Sequence, residues 1–410
     1  MVIWIVCEGE PLPSDKGEVR LRRMGLLSKI LVEEGHEVHW FSSSFHHYKK
    51  TQRSEKDEDI VLNKRLNIHL LRSKGYKKNI SVSRITHHKR IAKKFSNRSV
   101  NYNLPDIIIA TMAPLELSEA AVNFANKNSI PVVIDIRDLW PEIYGELVPE
   151  WGKTLIQPYI KYSKRKLTAT LSNSTSLIAV TQKFLKYGQS LINNEKSEND
   201  KVFYTSYPPM DSTGEKTINI NWLDSKISRT DFIVTFMGNF GKQFVLDPII
   251  ETAEMLKEYK NIKFVLCGNG ENLERIKIDA RNLPNVLLPG WIEKREISSL
   301  LSLSSVGIAP YRNSINFTHN IPNKFGEYLS FSLPILLGVN GSMAELANEY
   351  DCGMLYKDSN DLKDIILKLY DNENLKLAMS QNAKKLYNEK FNSDIVYKEM
   401  ADYLINIAEN

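Results

Sequence analysis

The stretch Thr318 to Gly338, T-H-N-I-P-N-K-F-G-E-Y-L-S-F-S-L-P-I-L-L-G, reads as one step of an alternating helix and strand fold. A polar loop runs into a short helix carrying one outward acid, Glu327. The chain then passes through Ser332-Leu333-Pro334 into an apolar strand, Ile335 to Val339. Helical spacing puts Asn320, Lys324 and Glu327 near one face and turns Phe325, Tyr328 and Leu329 toward a core. An ammonium group, backbone N–H groups at a helix start and a carboxylate one turn deeper suit a nucleotide diphosphate. Cations and amides hold phosphates, and the acid accepts from ribose hydroxyls. The alternative is an ordinary amphipathic helix with a solvated Lys/Glu pair, and matching signals elsewhere in the chain weigh against it.

Working outward, apolar runs alternate with helical patterns in two series. The first contains Val2 to Cys7, Glu37 to Ser42, Ile68 to Leu71, Asp106 to Thr111, Pro131 to Arg137 and Leu177 to Thr181, with helices predicted at about Val19 to Glu34, Leu115 to Asn128 and Lys153 to Leu171. The second contains Phe232 to Met237, Lys263 to Cys267, Val286 to Leu288, Val306 to Ala309 and Pro334 to Val339. Near-continuous apolar strands separated by helices imply parallel sheets covered on both faces. The fold class is therefore α/β, with two Rossmann-like doubly wound domains facing a central cleft. A polar, turn-rich passage from Asn193 to Asp224 places the linker around Tyr207 to Asp231. The chain divides into a first Rossmann-like domain, 1–207, a second, 208–392, and a C-terminal helix, 393–410, expected to pack back on the first domain.

At 410 residues the chain is too long for one usual core, which agrees with two domains. Hydrophobic residues at 42% and charged residues at 25% exclude a disordered chain. Cys7, Cys267 and Cys352 lack metal-ligand spacing and suggest a reducing compartment. The opening M-V-I-W-I-V-C-E fits a first strand and not a signal peptide, and no apolar run reaches the roughly 18 to 20 residues that cross a bilayer. A cytoplasmic protein, peripheral on the inner face of the cell membrane, is the expectation.

Four motifs carry a resemblance: D-I-R-D-L-W-P-E at Asp135 to Glu142, F-M-G-N-F-G-K at Phe236 to Lys242, F-V-L-C-G-N-G-E at Phe264 to Glu271, and I-P-N-K-F-G-E-Y-L at Ile321 to Leu329. In this order the chain resembles a GT-B-fold retaining glycosyltransferase of family 4, in a branch that builds bacterial surface polysaccharides and includes N-acetylfucosamine-type transferases. The resemblance implies a nucleoside diphosphate-sugar donor, UDP favoured, no cofactor and no required metal. It places Gly238, Asn239, Gly241 and Lys242 beside the donor diphosphate, although the family often carries an arginine where Asn239 stands. C-G-N-G-E lacks the third glycine of a dinucleotide fingerprint, so Gly268 and Gly270 read as room for a close turn. Pro289 to Ile292 resembles the loop that holds the nucleobase, where Trp291 either stacks on the base or packs in the protein, with Ile292 beside it. Asn320, Ile321 and Lys324 line the donor site, and Glu327 takes the ribose role. The family's usual paired glutamates would put a second acid at His319, which is instead a donor-sugar contact. Asp138 and Arg137 are implied near the sugar, or Arg137 pairs with neighbouring carboxylates. Gly17, in P-S-D-K-G-E-V-R, lies in a loop that approaches donor or acceptor.

The catalytic set is thus Asp138, Arg137, Lys242 and His319. Negative charge building on the leaving diphosphate would be stabilised by Lys242, Lys324 and nearby N–H groups. Asp57-Glu58-Asp59 reads as a solvated loop and not a metal site. From Ile60 to Pro105 there is no Asp or Glu, while Lys64, Arg65, Arg72, Lys74, Lys77, Lys78, Arg84, Lys89, Arg90, Lys93, Lys94 and Arg98 accumulate, with net charge only +5 over the whole chain. Interleaved Tyr76, Ile80, Val82, Ile85, Ile91 and Phe95 add apolar contacts. This suits an anionic membrane surface and a polyprenyl-diphosphate-linked glycan acceptor in capsule, O-antigen or exopolysaccharide synthesis. Nucleic-acid binding would explain the basic patch but not the second-domain motifs. A non-hydrolysing nucleotide-sugar epimerase shares paired Rossmann-like domains but needs no acceptor. Incubating UDP-sugars alone and looking for epimers separates it from a transferase.

Overall fold

A computed structural model describes the chain except residues 18, 80, 143, 146–147, 149, 194–196 and 210–225, together with the side chains of 150, 151 and 294. The central part of the expected linker, with D-S-T-G-E-K, falls outside the described residues, as does Ile80. Contacts divide the chain into two compact units, Met1–Tyr204 with Val396–Asn410, and Thr205–Ile395.

The first unit is built on strands β1 (Val2–Val6), β2 (Glu37–Ser43), β5 (Glu58–Asn63), β6 (Leu66–Leu71), β7 (Ile107–Thr111), β8 (Val132–Ile136), β9 (Ser176–Ala179) and β10 (Lys201–Val202), with β3 (Phe45–His46) and β4 (Thr51–Gln52) as a separate small hairpin. They order as β10-β9-β8-β7-β1-β2-β6-β5. Pairing is parallel except at the edge, where β5 runs antiparallel to β6. The central strands β1, β7 and β8 are buried over almost their whole length, as expected of a sheet covered on both faces. One core face receives α1 (Arg23–Glu33), together with Val396, Tyr397, Met400 and Leu404 of the final helix Ser393–Glu409.

Two features depart from expectation. Helix α2 (Val82–Arg98) fills the middle of the basic region, with Ser81 accepting from the Arg84 N–H as its N-cap. Its buried stripe is His87, His88, Ile91, Ala92 and Phe95. Two histidines interrupt the apolar period, and that hides the helix in the sequence. Tyr76, Ile91 and Phe95 are therefore core residues and not surface contacts, whereas Val82 is exposed. Asp57-Glu58-Asp59 is also not a solvated loop. Asp57 accepts from Lys94 (2.7 Å) and the Arg72 N–H (2.6 Å), and Asp59 from Arg98 and Tyr102 at 2.8 and 2.9 Å. The acid-free run borrows its counter-charges from the segment just before it.

The second unit has six strands, β11 (Phe232–Met237), β12 (Ile262–Cys267), β13 (Val286–Gly290), β14 (Val306–Ala309), β15 (Ile335–Leu337) and β16 (Gly353–Leu355), all parallel in the order β13-β12-β11-β14-β15-β16. The order reverses beside β11. In an open parallel sheet such a switch point leaves a crevice at the carboxyl ends of the strands for a ligand.

Candidate active site

At the carboxyl end of β11 the backbone turns through Gly238-Asn239-Phe240-Gly241-Lys242. The turn is tied to its neighbour: Gly238 N donates to Cys267 O at 2.8 Å, and Phe240 N to Asn269 O at 2.9 Å. Gly268 has φ +141°, and a Cβ there would stand 1.7 Å from the Gly238 carbonyl oxygen. One at Gly270, φ +156°, would meet Asn239 Oδ1 at 2.2 Å. The room these glycines supply is thus taken by the 238–240 loop, which presses against them.

The helix Asn323–Ser330 brings Lys324 to this turn. A Cβ on Gly238 would lie 3.0 Å from the Lys324 Cε and 3.3 Å from its Nζ, so the lysine side chain crosses the bare glycine. Its Nζ also stands 5.8 Å from the centre of the Phe244 ring. No side chain caps the helix start at Pro322, where the Phe325 N–H donates to the Pro322 carbonyl at 2.9 Å. Lys242 is 81% exposed, with Glu271 Oε2 4.0 Å from its Nζ.

Glu327 is not the outward acid expected. Residues Phe325 to Leu329 are all buried, and Glu327, 7% exposed, accepts from the Tyr207 hydroxyl at 2.7 Å. Gly326 explains the burial: it lies against Phe391 and Tyr207, so this turn of the helix is sandwiched. In the sequence Tyr207 marks only the start of the expected linker. His319 Nδ1 lies 2.9 Å from Thr318 Oγ1, and its carbonyl accepts from Ser342. Asn320 Oδ1 accepts from the Ile321 N–H, with Ile321 and Ile292 buried. Trp291, 67% exposed at the end of β13, is not a packing tryptophan.

In the first unit, D-I-R-D-L-W-P-E leaves β8. Asp135 has no exposure and is held by Arg23 through two bonds of 2.9 and 3.0 Å and by Arg137 at 2.6 Å. Arg137 also pairs with the buried Glu10, which accepts from the Met24 N–H. The two guanidiniums hold the Asp135 carboxyl below its usual range despite burial, and the carboxylates hold Arg137 above its own. Of the alternatives open for Arg137, the geometry supplies carboxylate pairing. Asp138 differs: it is half-buried, and desolvation raises its carboxyl to about 6, with Arg137 and Arg84 opposing. Gly17, φ +90°, has open space where a Cβ would stand.

The same unit holds a pocket of about 500 Å³, open solvent included, between α2, the start of α3 (Leu115–Lys127) and the helix Glu150–Ser172. Arg84, His88, Glu116, Trp140, Tyr144 and Tyr159 are among its walls. Sequence reading reached Trp140 through its motif but missed Glu116 and His88, which no local pattern marks. Among the described residues, no three or more His, Cys, Asp or Glu gather in a metal-holding group, and no helix is long and apolar enough to cross a membrane.

Comparison with known proteins bears on the second unit first. Residues 223–386 match the family described as Glycosyl transferases group 1. The second unit carries a glycosyl transferases group 1 domain. An uncharacterized glycosyltransferase of Methanocaldococcus jannaschii is 26% identical over 182 residues, 41% of this chain and 48% of that protein, so the match spans about half the relative's length. Sucrose-phosphate synthase from Thermosynechococcus elongatus superposes with TM-score 0.70 at 12% identity, covering 98% of this chain and 97% of that one. HepE of Anabaena, solved in complex with UDP, gives 0.64 at 11% identity and 99% coverage of both chains. These likenesses establish the GT-B fold with its two Rossmann-like domains, the group 1 domain being the second.

Proposed function

We propose that the chain is a retaining, metal-independent glycosyltransferase that moves a sugar from a nucleoside diphosphate-sugar, UDP favoured, to a hydroxyl of a lipid-linked glycan in bacterial surface polysaccharide synthesis. The observation that carries this reading is Lys324 lying across Gly238 in the group 1 domain. It joins an ammonium group, an uncapped helix start and a glycine turn at one strand end, the combination a diphosphate needs. Lys242 and Lys324 stabilise charge developing on the leaving diphosphate, which does more for the transition state than for the ground state. Trp291 offers an exposed face to the nucleobase, and Glu327, oriented by Tyr207, accepts from the ribose. HepE in complex with UDP supports the nucleotide choice. On the first unit, exposed Lys77, Lys78, Lys89, Arg90 and Lys93 favour an anionic membrane surface carrying a polyprenyl-diphosphate-linked acceptor. Thermal-shift measurements with UDP, GDP and dTDP test the donor site, because a ligand bound only by the folded state raises the unfolding temperature by mass action. UDP gives the largest shift on this reading; preferential stabilisation by GDP overturns the nucleotide assignment, and no shift with any of the three overturns the site.

A further inference from the structure

We infer that Glu37, His39, His69 and Asp59 form a proton-holding row at the edge of the first sheet. The row binds one proton more than two neutral histidines carry, and so makes the stability of the first unit depend on pH. This device is independent of the donor site.

The row crosses three strands. On β2, Glu37 Oε1 lies 2.9 Å from His39 Nε2, and His39 Nδ1 lies 2.9 Å from His69 Nε2 on β6. His69 Nδ1 lies 2.8 Å from Asp59 Oδ1 on the edge strand β5, where register pairs the two residues directly. The imidazole centres are 5.1 Å apart and their planes differ by 11°. That separation is close to the nitrogen contact plus one ring radius on each side, so the rings meet nitrogen to nitrogen, as a hydrogen bond requires.

Each of the three contacts needs one hydrogen. A carboxylate only accepts, so His39 Nε2 and His69 Nδ1 both donate, and the nitrogen pair between them shares a third proton. Two neutral imidazoles bring only two. Burial opposes ionisation of Asp59, but bonds from His69 and Tyr102 hold its carboxyl below the ordinary range, so it accepts. Burial pushes His69 down to about 4, which makes His69 the neutral ring and gives the extra proton to the His39–Glu37 end.

The other groups facing the row divide in the same way. Arg98 of α2 and the Tyr102 hydroxyl both bond Asp59, at 2.8 and 2.9 Å, while β1 and β2 contribute the neutral Trp4 and Phe41. Glu37, its side chain 42% exposed, is the remaining acid. When the extra proton leaves, His39 Nε2 and Glu37 Oε1 face each other as two acceptors, and the exposed carboxylate turns to water. A histidine in the unfolded chain is mostly neutral above about pH 6.5. Unfolding above that pH therefore releases the proton, and stability falls as pH rises.

Denaturant unfolding of the full chain between about pH 6.5 and 8.5, wild type against Glu37→Gln, tests this. The glutamine amide donates to a neutral His39, so the variant needs no extra proton. The unfolding equilibrium constant of the wild type is expected to rise relative to the variant's, by up to about tenfold per pH unit while the row holds its proton. Imidazole nitrogen-15 NMR at about pH 7.5 gives an independent reading. The ring assigned through His39→Gln should be protonated on both nitrogens in the wild type and on one in Glu37→Gln. Equal pH slopes for the two proteins, or a singly protonated His39 in the wild type, overturns the inference.

Discussion

In the first unit Arg23 and Arg137 converge on Asp135, a carboxylate with no exposure, and Arg137 reaches a second buried acid, Glu10. In the second unit Lys242 stands 81% exposed with a carboxylate only at 4.0 Å, and Lys324 lies across a bare glycine. Both groups of cations sit just beyond a central strand, β8 in one unit and β11 in the other. What separates them is burial. Buried cations must bring their own carboxylates, because an unpaired charge in the interior costs several kcal/mol, roughly. An exposed cation such as Lys242 needs no buried acid, because water solvates it.

The contrast is broken most sharply at its buried end. Asp135→Leu leaves two guanidiniums without their shared acid and should destabilise the protein by about 3–5 kcal/mol, read by denaturant unfolding. A loss below about 1 kcal/mol would mean that the network relaxes into solvent. The next largest effect belongs to the exposed end. Lys242→Ala and Lys324→Ala should each lower turnover roughly 10²- to 10³-fold, the range for one preorganised electrostatic donor, with Lys242→Ala leaving stability nearly unchanged. Wild-type turnover in both variants would show that these cations are merely solvated. Glu327→Ala should act mainly on nucleotide affinity.

Asp138 lies between the two extremes, an acid beside Arg137 that is not drawn into the buried network. Its folded carboxyl is raised from the ordinary 3.8 to about 6, so the folded state keeps the proton longer than the unfolded state does. The protonated acid favours folding below its ordinary range, and that contribution is lost as pH rises through about 6. Asp138→Asn should then stabilise the protein at pH 8 relative to pH 4 by about 2 kcal/mol, allowing for partial exposure, while lowering turnover if the acid touches sugar. Equal stability differences at the two pH values would place Asp138 in water. The smallest effect separates a surface lysine held by an acid from one with no ion pair among the described residues. Lys89→Gln should weaken binding to anionic liposomes by about 1 kcal/mol at low salt, whereas Lys94→Gln, whose ammonium already holds Asp57, should do less. Equal losses would show that the ion pair opens at the membrane.

Much of this was legible along the chain because it is written in local pattern. The strand β11 was read with its observed ends, Phe232 and Met237, and the other buried parallel strands within a few residues, since a strand covered on both faces must be apolar throughout. The glycines at 268 and 270 announced a tight turn because no other residue accepts their geometry. Helix α2 was not legible, because His87 and His88 occupy core positions that only tertiary packing makes acceptable: His87 lies 2.6 Å from the buried Glu8. The basic run from Ile60 to Pro105 likewise overstated its own charge, since Asp57 and Asp59 return to it through an edge strand that no periodicity marks.

By itself, then, the sequence determined the class of the fold, the two series of strands and the turns that glycine makes possible, all of which follow from backbone sterics and the period of apolar residues. Tertiary structure alone decided which charges are paired. It turned Glu327 inward against Tyr207, gave Arg137 to Asp135 and Glu10, and set Glu116 beside His88 in the lining of one pocket. Ion pairing depends on distances between segments far apart in the chain, and on burial that lowers the local dielectric, and neither quantity is encoded in the spacing of neighbouring residues.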